Sequence, residues 1–255
     1  MTNPLFDMTG KVALITGSTK GIGRSIAEEM ARLGAKVVIS SRKADACEQV
    51  AGELKAQGFE AIAIPCHVGK KDDLQNLVDK TLEAWGKIDV LVCNAATNPV
   101  YGPTSEMTDE AWDKIMDTNV KGTFWLTNMV LPGMAERGEG AVVLLSSIAG
   151  IRGNTTIGTY GVSKAAEAAL ARNLAVEWGP KGIRINSIAP GLIKTDFARA
   201  LWEDPERIER INSANPMRRM GTVEEIAGTA LWLASPLSGY VNGQLIIADG
   251  GQSLA

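Results

Sequence analysis

At 255 residues, with 45% hydrophobic and 22% charged side chains, the chain has the make-up of a globular protein able to bury a sizeable core. A formal net charge of −3 removes the simplest case for nucleic-acid or anionic-membrane partners, and no apolar run of about 18 residues reads as a membrane span. Three scattered cysteines (Cys47, Cys66, Cys93) and a single histidine, His67, argue against a disulfide framework and against a metal site, and the cytoplasm is the expected setting.

Lys11–Thr16 is a short apolar run ending in a glycine cluster, the pattern of a buried strand. Arg24–Leu33 follows as a helix, with Ile26, Ala27, Met30 and Leu33 at helical spacing, and Gly34 ends it. Then come a strand over Ala35–Ser40, a helix over Ala44–Gln57 and a strand over Glu60–Pro65. Lys71–Trp85 is helical and Ile88–Cys93 is a strand. A long helix is expected from Asp109 to Met134, a fifth strand over Gly140–Ser146, a helix over Thr159–Trp178 and a sixth strand over Arg184–Ala189. Less regular helices lie between Asp196 and Ala214, Val223–Ala234 is a helix, and Gln244–Ala248 is the last strand. Strands alternating with helices in this way demand an α/β architecture, a seven-stranded parallel sheet covered on both faces. No linker or repeat interrupts it. One domain over residues 1–255 is expected, with cofactor binding over about 9–190 and a substrate loop with helices over about 191–220.

The segment Gly17-Ser-Thr-Lys-Gly-Ile-Gly23 joins the first strand to the first helix. There, glycines let the backbone approach a pyrophosphate, and the helix N-terminus offers free N–H groups and a positive dipole end. Gly17, Ser18, Lys20, Gly21, Ile22 and Gly23 are therefore candidate cofactor ligands. The second strand ends in Ser40-Ser41-Arg42-Lys43, where an NAD enzyme usually carries an acid for the ribose 2′-hydroxyl. Arg42 suits a 2′-phosphate, and Lys20 adds a second cation able to reach it, so NADP(H) is favoured.

Tyr160 and Lys164 stand four apart on a predicted helix and share a face. An ammonium beside a phenol favours the phenolate, and a tyrosine so tuned can exchange a proton with a carbonyl or alcohol oxygen. Taken alone, the pair is equally readable as a surface tyrosine beside a solvated lysine.

With these pieces placed, the chain resembles the short-chain dehydrogenase/reductase family nearly end to end. Thr16-Gly17-x-x-x-Gly21-x-Gly23 is similar to its cofactor motif and Cys93-Asn94-Ala95-Ala96 to its Asn-Asn-Ala-Gly motif. Asn119, Ser147, Tyr160, Lys164 and Pro190-Gly191 match its remaining motifs in order. Several stretches are most similar to its NADP(H)-dependent carbonyl and retinal reductases. The resemblance implies a Rossmann-type doubly wound fold and an oxidoreductase moving a hydride between NADP(H) and a carbonyl or secondary alcohol. Tyr160 would be the proton donor and Ser147 would orient the carbonyl. Lys164 would lower the phenol pKa and hold the nicotinamide ribose, with Asn94 in the ribose wall. Asn119 would fix a water linking Lys164 to solvent, or else be a polar kink in a long helix. Pro190, Gly191, Ile193 and Thr195 would close over the nicotinamide carboxamide and pyrophosphate. Where the family commonly has aspartate after the third strand, this chain has His67. Either His67 contacts adenine, or the backbone around Val68 and stacking carry that recognition.

Substrate contacts are expected from Asn98, Val100, Tyr101, Arg152, Asn154, Phe197, Leu201 and Trp202, a mixture suited to ketones or aldehydes of moderate size. A 3-oxoacyl-thioester reductase, a sugar or polyol dehydrogenase and a nucleotide-binding regulatory protein are the alternatives. The apolar residues of Asp109–Met134 and the alanines of Thr159–Trp178 exceed what one sheet face needs, and the family is commonly tetrameric, so a homotetramer is expected.

Overall fold

The computed structural model describes residues 6–198 and 202–254, so Leu201 lies outside the described residues. Seven strands form, each a short aliphatic run: β1 (Val12–Thr16), β2 (Lys36–Ser40), β3 (Ala61–Ala63), β4 (Val90–Cys93), β5 (Gly140–Leu145), β6 (Ile183–Pro190) and β7 (Leu245–Ala248). They build one sheet in the order β3-β2-β1-β4-β5-β6-β7, parallel throughout. The helices are α1 (Gly21–Arg32), α2 (Ala44–Ala56), α3 (Lys71–Trp85), α4 (Asp109–Ile115), α5 (Gly122–Arg137), α6 (Gly158–Trp178), α7 (Pro205–Ala214) and α8 (Val223–Ala234).

Side chains alternate across a strand, so each central strand feeds two cores. Ala13, Ile15, Val143 and Leu145 pack on one face with Ile26 and Met30 of α1, Val50 and Leu54 of α2, and Ile226 of α8. Leu14, Val142 and Leu144 pack on the other with Leu74 and Leu77 of α3, Leu126 and Leu131 of α5, and Leu174 of α6. Burying each such side chain stabilises by roughly 1.5–3 kcal/mol. The doubly wound α/β reading is what the chain adopts.

Most bounds move by only one or two residues; the larger differences fall in the first helix, the third strand and the Asp109–Met134 helix. The first helix starts at Gly21 rather than Arg24, directly off the glycine turn. The third strand pairs on one side only and shrinks to Ala61–Ala63. The helix expected over Asp109–Met134 is interrupted by a π-helical turn at Met116–Lys121, and α5 then runs on to Arg137. Among the described residues no helix is long and apolar enough to cross a membrane, and no cluster of acidic, histidine and cysteine side chains has a metal-holding arrangement. The strand order reverses between β1 and β4. Open parallel sheets bind ligands at that point, beyond the carboxyl ends of the strands.

Candidate active site

A cleft of about 920 Å³ opens there, running from the glycine turn past β4 and β5 to the segment after β6. Gly17 and Gly21 take positive φ values of 69° and 57°, a conformation that favours glycine. A Cβ on Gly23 would lie 2.5 Å from the Gly17 carbonyl oxygen, so a side chain there would close the turn. Asn94 Nδ2 donates to the carbonyls of Thr16 at 2.8 Å and Gly17 at 3.1 Å, clamping the turn to the end of β4. Helix α1 begins with no side-chain cap and no acid in its first turn, leaving its N–H groups to a ligand. Backbone room, unsatisfied donors and a positive helix end fit a dinucleotide pyrophosphate.

Not every residue of the turn faces the cleft. Ser18 is fully buried; its hydroxyl donates to Ile15 O at 2.8 Å and accepts from Ser40 N at 2.9 Å. It pins β1 to β2, and its side chain is not offered to a ligand. Lys20 lines the cleft, but its ammonium is 3.6 Å from Asp196 on the segment after β6. Arg42 lines the cleft beyond β2 and has no ion-pair partner among the described residues. His67 and Val68 line the same end; His67 Nδ1 accepts from Gly69 N at 3.1 Å, which leaves Nε2 for other contacts.

At the other end, Ser147 opens a 3-10 turn over Ile148–Gly150, its hydroxyl accepting from Ala149 N at 3.1 Å. This turn packs backbone against backbone on α6. A Cβ on Gly150 would come 2.8 Å from Ala165 N, and one on Gly161 would overlap the Ala149 carbonyl. Ser146 adds a hydrogen bond to Lys164 O at 2.7 Å. Ser147 is thereby held against the first turns of α6, where Tyr160 and Lys164 share a face, and all three line the cleft. The structure brings the expected trio together.

The pull expected from Lys164 on the phenol is present, but larger effects oppose it. Burial raises the Tyr160 phenol above its ordinary value; Lys164 pulls it down, Glu167 pushes it up again, and the Ser147 hydroxyl lowers it. Lys164 does pull the phenol down, but burial outweighs that pull, and the ammonium is itself paired. Its Nζ donates to Glu167 Oε2 and to Leu145 O, each at 2.7 Å, and lies 5.5 Å from the Tyr160 ring centroid. Burial opposes the Lys164 charge, but Glu167 and Tyr160 outweigh it and hold its pKa above the ordinary value. Glu167 is absent from the expected site residues. The spacing 160, 164, 167 on one helix face was the signal, set in the alanine run Ala165–Ala171.

Asn119 sits fully buried in the π turn. Its Oδ1 accepts from Thr97 N at 2.8 Å, while Nδ2 donates to Thr97 O and Ser163 Oγ, each at 3.0 Å. Its carbonyl accepts from the Thr123 hydroxyl at 2.8 Å. The residue ties the segment after β4 to the first turns of α6, and the π turn aims it there.

At the end of β6 and just beyond it, Pro190, Gly191, Ile193 and Thr195 line the cleft, Thr195 lying opposite Gly21. Trp202 Nε1 donates to Thr195 O at 2.8 Å, Tyr101 OH donates to Phe197 O at 3.2 Å, and the Phe197 ring stands 5.9 Å from that of Tyr160. Asn98, Tyr101, Arg152, Asn154 and Phe197 line the substrate end; Val100 and Trp202 do not, and Trp202 serves to hold the segment in place. Arg152 donates to Gln252 O. Thr97, Ile157, Ile211 and Gln252 also line the cleft and were not anticipated, since only tertiary folding brings their elements together.

A family model described as Enoyl-(Acyl carrier protein) reductase matches residues 17–253. Dehydrogenase/reductase SDR family member 4 of Bos taurus is 43% identical over 249 residues, 98% of this chain and 88% of the relative. Its counterpart in Oryctolagus cuniculus is 44% identical over 244 residues, 96% of this chain and 94% of the relative. Among solved structures, a gluconate 5-dehydrogenase from Burkholderia cenocepacia in complex with NADP and tartrate is 32% identical, with a TM-score of 0.95 and 98% of both chains covered. A 7α-hydroxysteroid dehydrogenase complexed with NADH and 7-oxo glycochenodeoxycholic acid is 36% identical, with a TM-score of 0.93 and the same coverage. With a family model spanning the cleft and the six strands from β2 to β7, and with relatives matched over nearly their whole length, the chain belongs to the short-chain dehydrogenase/reductase family and is an NAD(P)-linked oxidoreductase of carbonyl and alcohol groups.

Proposed function

We propose that this enzyme uses NADP(H) to reduce ketones or aldehydes of moderate size, and to oxidise the matching alcohols, as a cytoplasmic homotetramer. The observation that carries the reading is the chemistry at the two ends of one cleft. Arg42 stands at one end, where β2 ends in Ser40-Ser41 rather than an acid, with no ion-pair partner among the described residues, and Tyr160 stands at the other with Ser147 and Lys164. Gly17, Lys20, Gly21, Ile22, Gly23, Arg42, His67, Val68, Asn94, Gly191, Ile193 and Thr195 would hold the dinucleotide, with Ser18 and Pro190 supporting them. When bound, the nicotinamide supplies or accepts the hydride. In reduction Tyr160 gives its phenolic proton to the carbonyl oxygen, while the Ser147 hydroxyl orients that oxygen. Lys164 keeps a positive charge beside the phenol, and Asn119 holds the framework on which both stand.

Oxidation of NADPH with a panel of diketones, quinones, retinal, sugars and acyl thioesters tests the reading. It also separates a carbonyl reductase from a thioester reductase or a polyol dehydrogenase. No turnover with any member, despite NADPH binding, would favour a regulatory nucleotide-binding role instead. In the same assay Arg42→Asp is expected to lower kcat/KM with NADPH by about tenfold or more and to spare or improve NADH, because a carboxylate repels a 2′-phosphate and accepts from a 2′-hydroxyl. A wild type that prefers NADH would overturn the NADP(H) assignment.

Assembly is supported by apolar surface on two helices. Phe124 on α5 is 47% exposed, and on α6 Val162 is 48% and Val176 80% exposed, with Ala165 also exposed between them. Ile247 on β7 and Leu254 make a second exposed apolar group. Patches of this kind are liabilities in a monomer. Light scattering is expected to report four copies of the 27.1 kDa chain. A fully active single-chain species would remove the assembly from the proposal.

A further inference from the structure

The group in this site with no role so far is Glu167. It is fully buried, three residues beyond Lys164 on α6, and its Oε2 is 2.7 Å from the lysine ammonium. Its other oxygen, Oε1, is buried without a hydrogen-bond partner. A buried ion pair contributes little net stability, since desolvation of both charges offsets their attraction. The buried positions Ala168 and Ala171 show that this part of the helix packs well with small apolar side chains. A carboxyl placed here is expensive as packing and needs another account.

The ammonium is held from two sides, by Glu167 on its own helix and by the Leu145 carbonyl at the end of β5. The remaining donor direction and the charge are what Tyr160 feels, with the ammonium 5.5 Å from its ring centroid. We propose that Glu167 is a positioning residue for the reaction: its carboxylate fixes the Lys164 ammonium against Leu145 and screens the charge felt by Tyr160, so that the phenol stays protonated and ready to donate. This rests on the reading of Tyr160 as proton donor. Without the carboxylate, the tyrosinate would be the nearest anion available to a buried ammonium, and ionisation of Tyr160 would become easier.

The other titratable neighbours do not replace this partner. Lys164 and Tyr160 lie on the same helix, and Cys93, facing from β4, is kept a neutral thiol by burial. Thr123, from α5, is uncharged; its hydroxyl donates to the Asn119 carbonyl and stands near enough to Glu167 to favour the carboxylate, without supplying a charge of its own. Burial pushes Glu167 up to about 7 against the pull of Lys164, so the carboxylate form dominates through the alkaline range in which a tyrosine ionises.

The test is an NMR titration of the apoprotein labelled at tyrosine Cζ, in which Tyr160 is one of three tyrosines and is assigned with Tyr160→Phe. In Glu167→Gln, which keeps the shape and removes the charge, the Tyr160 midpoint is expected to fall by about one pH unit, a tenfold loss of proton affinity. The rising limb of kcat/KM for alcohol oxidation, where the phenolate is the base, should move to lower pH by the same amount. Glu167→Asp, with the charge kept and withdrawn by one methylene, should fall between the two. Should the glutamine variant not fold, the aspartate variant carries the test alone, and its midpoint must still fall. A merely structural glutamate predicts lost thermal stability with an unmoved Tyr160 midpoint, and that result would overturn the proposal. Because the titration is read without cofactor, failed carbonyl assays would strike the reading of Tyr160 as donor, whereas an unmoved midpoint strikes the role of Glu167 alone.

Discussion

Tyr160→Phe is expected to lower kcat/KM for carbonyl reduction by about 10²–10⁴-fold, the usual worth of a positioned general acid, while NADPH affinity stays within a few-fold. The substitution removes one oxygen and leaves the ring, so the 5.9 Å packing against Phe197 and the contact with Lys164 keep their shape. Burial makes the effect large. Tyr160 is half-buried beside Phe197 and the Ser147 turn, and its raised pKa keeps it protonated through the neutral range, so no deprotonated fraction has to be recharged. Neither neighbour substitutes for it. Ser147 is a far weaker acid, and the Lys164 ammonium is directed at Leu145 and Glu167. Steady-state kinetics together with fluorescence titration of NADPH separate the two readouts. A variant keeping more than about a tenth of wild-type turnover would remove Tyr160 as the donor.

The second large effect is expected from a residue with no chemistry of its own. Gly161 lies in the first turns of α6, where an added Cβ would overlap the Ala149 carbonyl oxygen. Ala149 belongs to the turn that begins at Ser147, so relief of the overlap must lift that turn away from the helix carrying Tyr160. Gly161→Ala is expected to cost about 1–3 kcal/mol of stability by overpacking. Misplacing reacting groups by about 1 Å costs up to about 10²-fold, so kcat should fall by about ten- to a hundredfold. NADPH binding depends on the turn at Gly17–Gly23, across the sheet, and should change little. Gly52 supplies the control. It stands in the interior of α2 with nothing within 4 Å of an added Cβ, and Gly52→Ala should raise stability by about 0.5–1 kcal/mol without touching activity. Equal melting temperatures and equal kcat for wild type and Gly161→Ala would show that the Ser147 turn is not held as described.

The two variants mark different depths of legibility. Tyr160 and Lys164 are readable as a pair because helical spacing alone puts them on one face, and the same rule reaches Glu167, which the surrounding alanines concealed. Gly161 and Gly150 carry no such signal. What they do depends on two backbones meeting, and those backbones are brought together only when β5 and α6 pack. Ser18 is a similar case. Its place in the glycine turn points to a ligand, yet the turn rotates its hydroxyl inward to join β1 and β2.

Periodicity and glycine placement by themselves determined the alternation of strands and helices, the parallel sheet and the position of the dinucleotide turn. These follow from local rules: which face a side chain takes, and where a backbone needs φ above zero. The tertiary structure alone decided the charge around the phenol. Spacing predicts an ammonium that lowers the Tyr160 pKa, and it does pull that way, but the net shift is upward because burial and Glu167 oppose it. Both are properties of packed neighbours: Leu145 arrives from β5, Cys93 from β4 and Thr123 from α5. The π turn at Met116–Lys121 has the same origin, since Asn119 is drawn inward by Thr97 and Ser163, which lie far from it in the chain. A hydrogen bond between distant segments costs a helix its regular winding here, and no local pattern in Asp109–Met134 records that the partners exist.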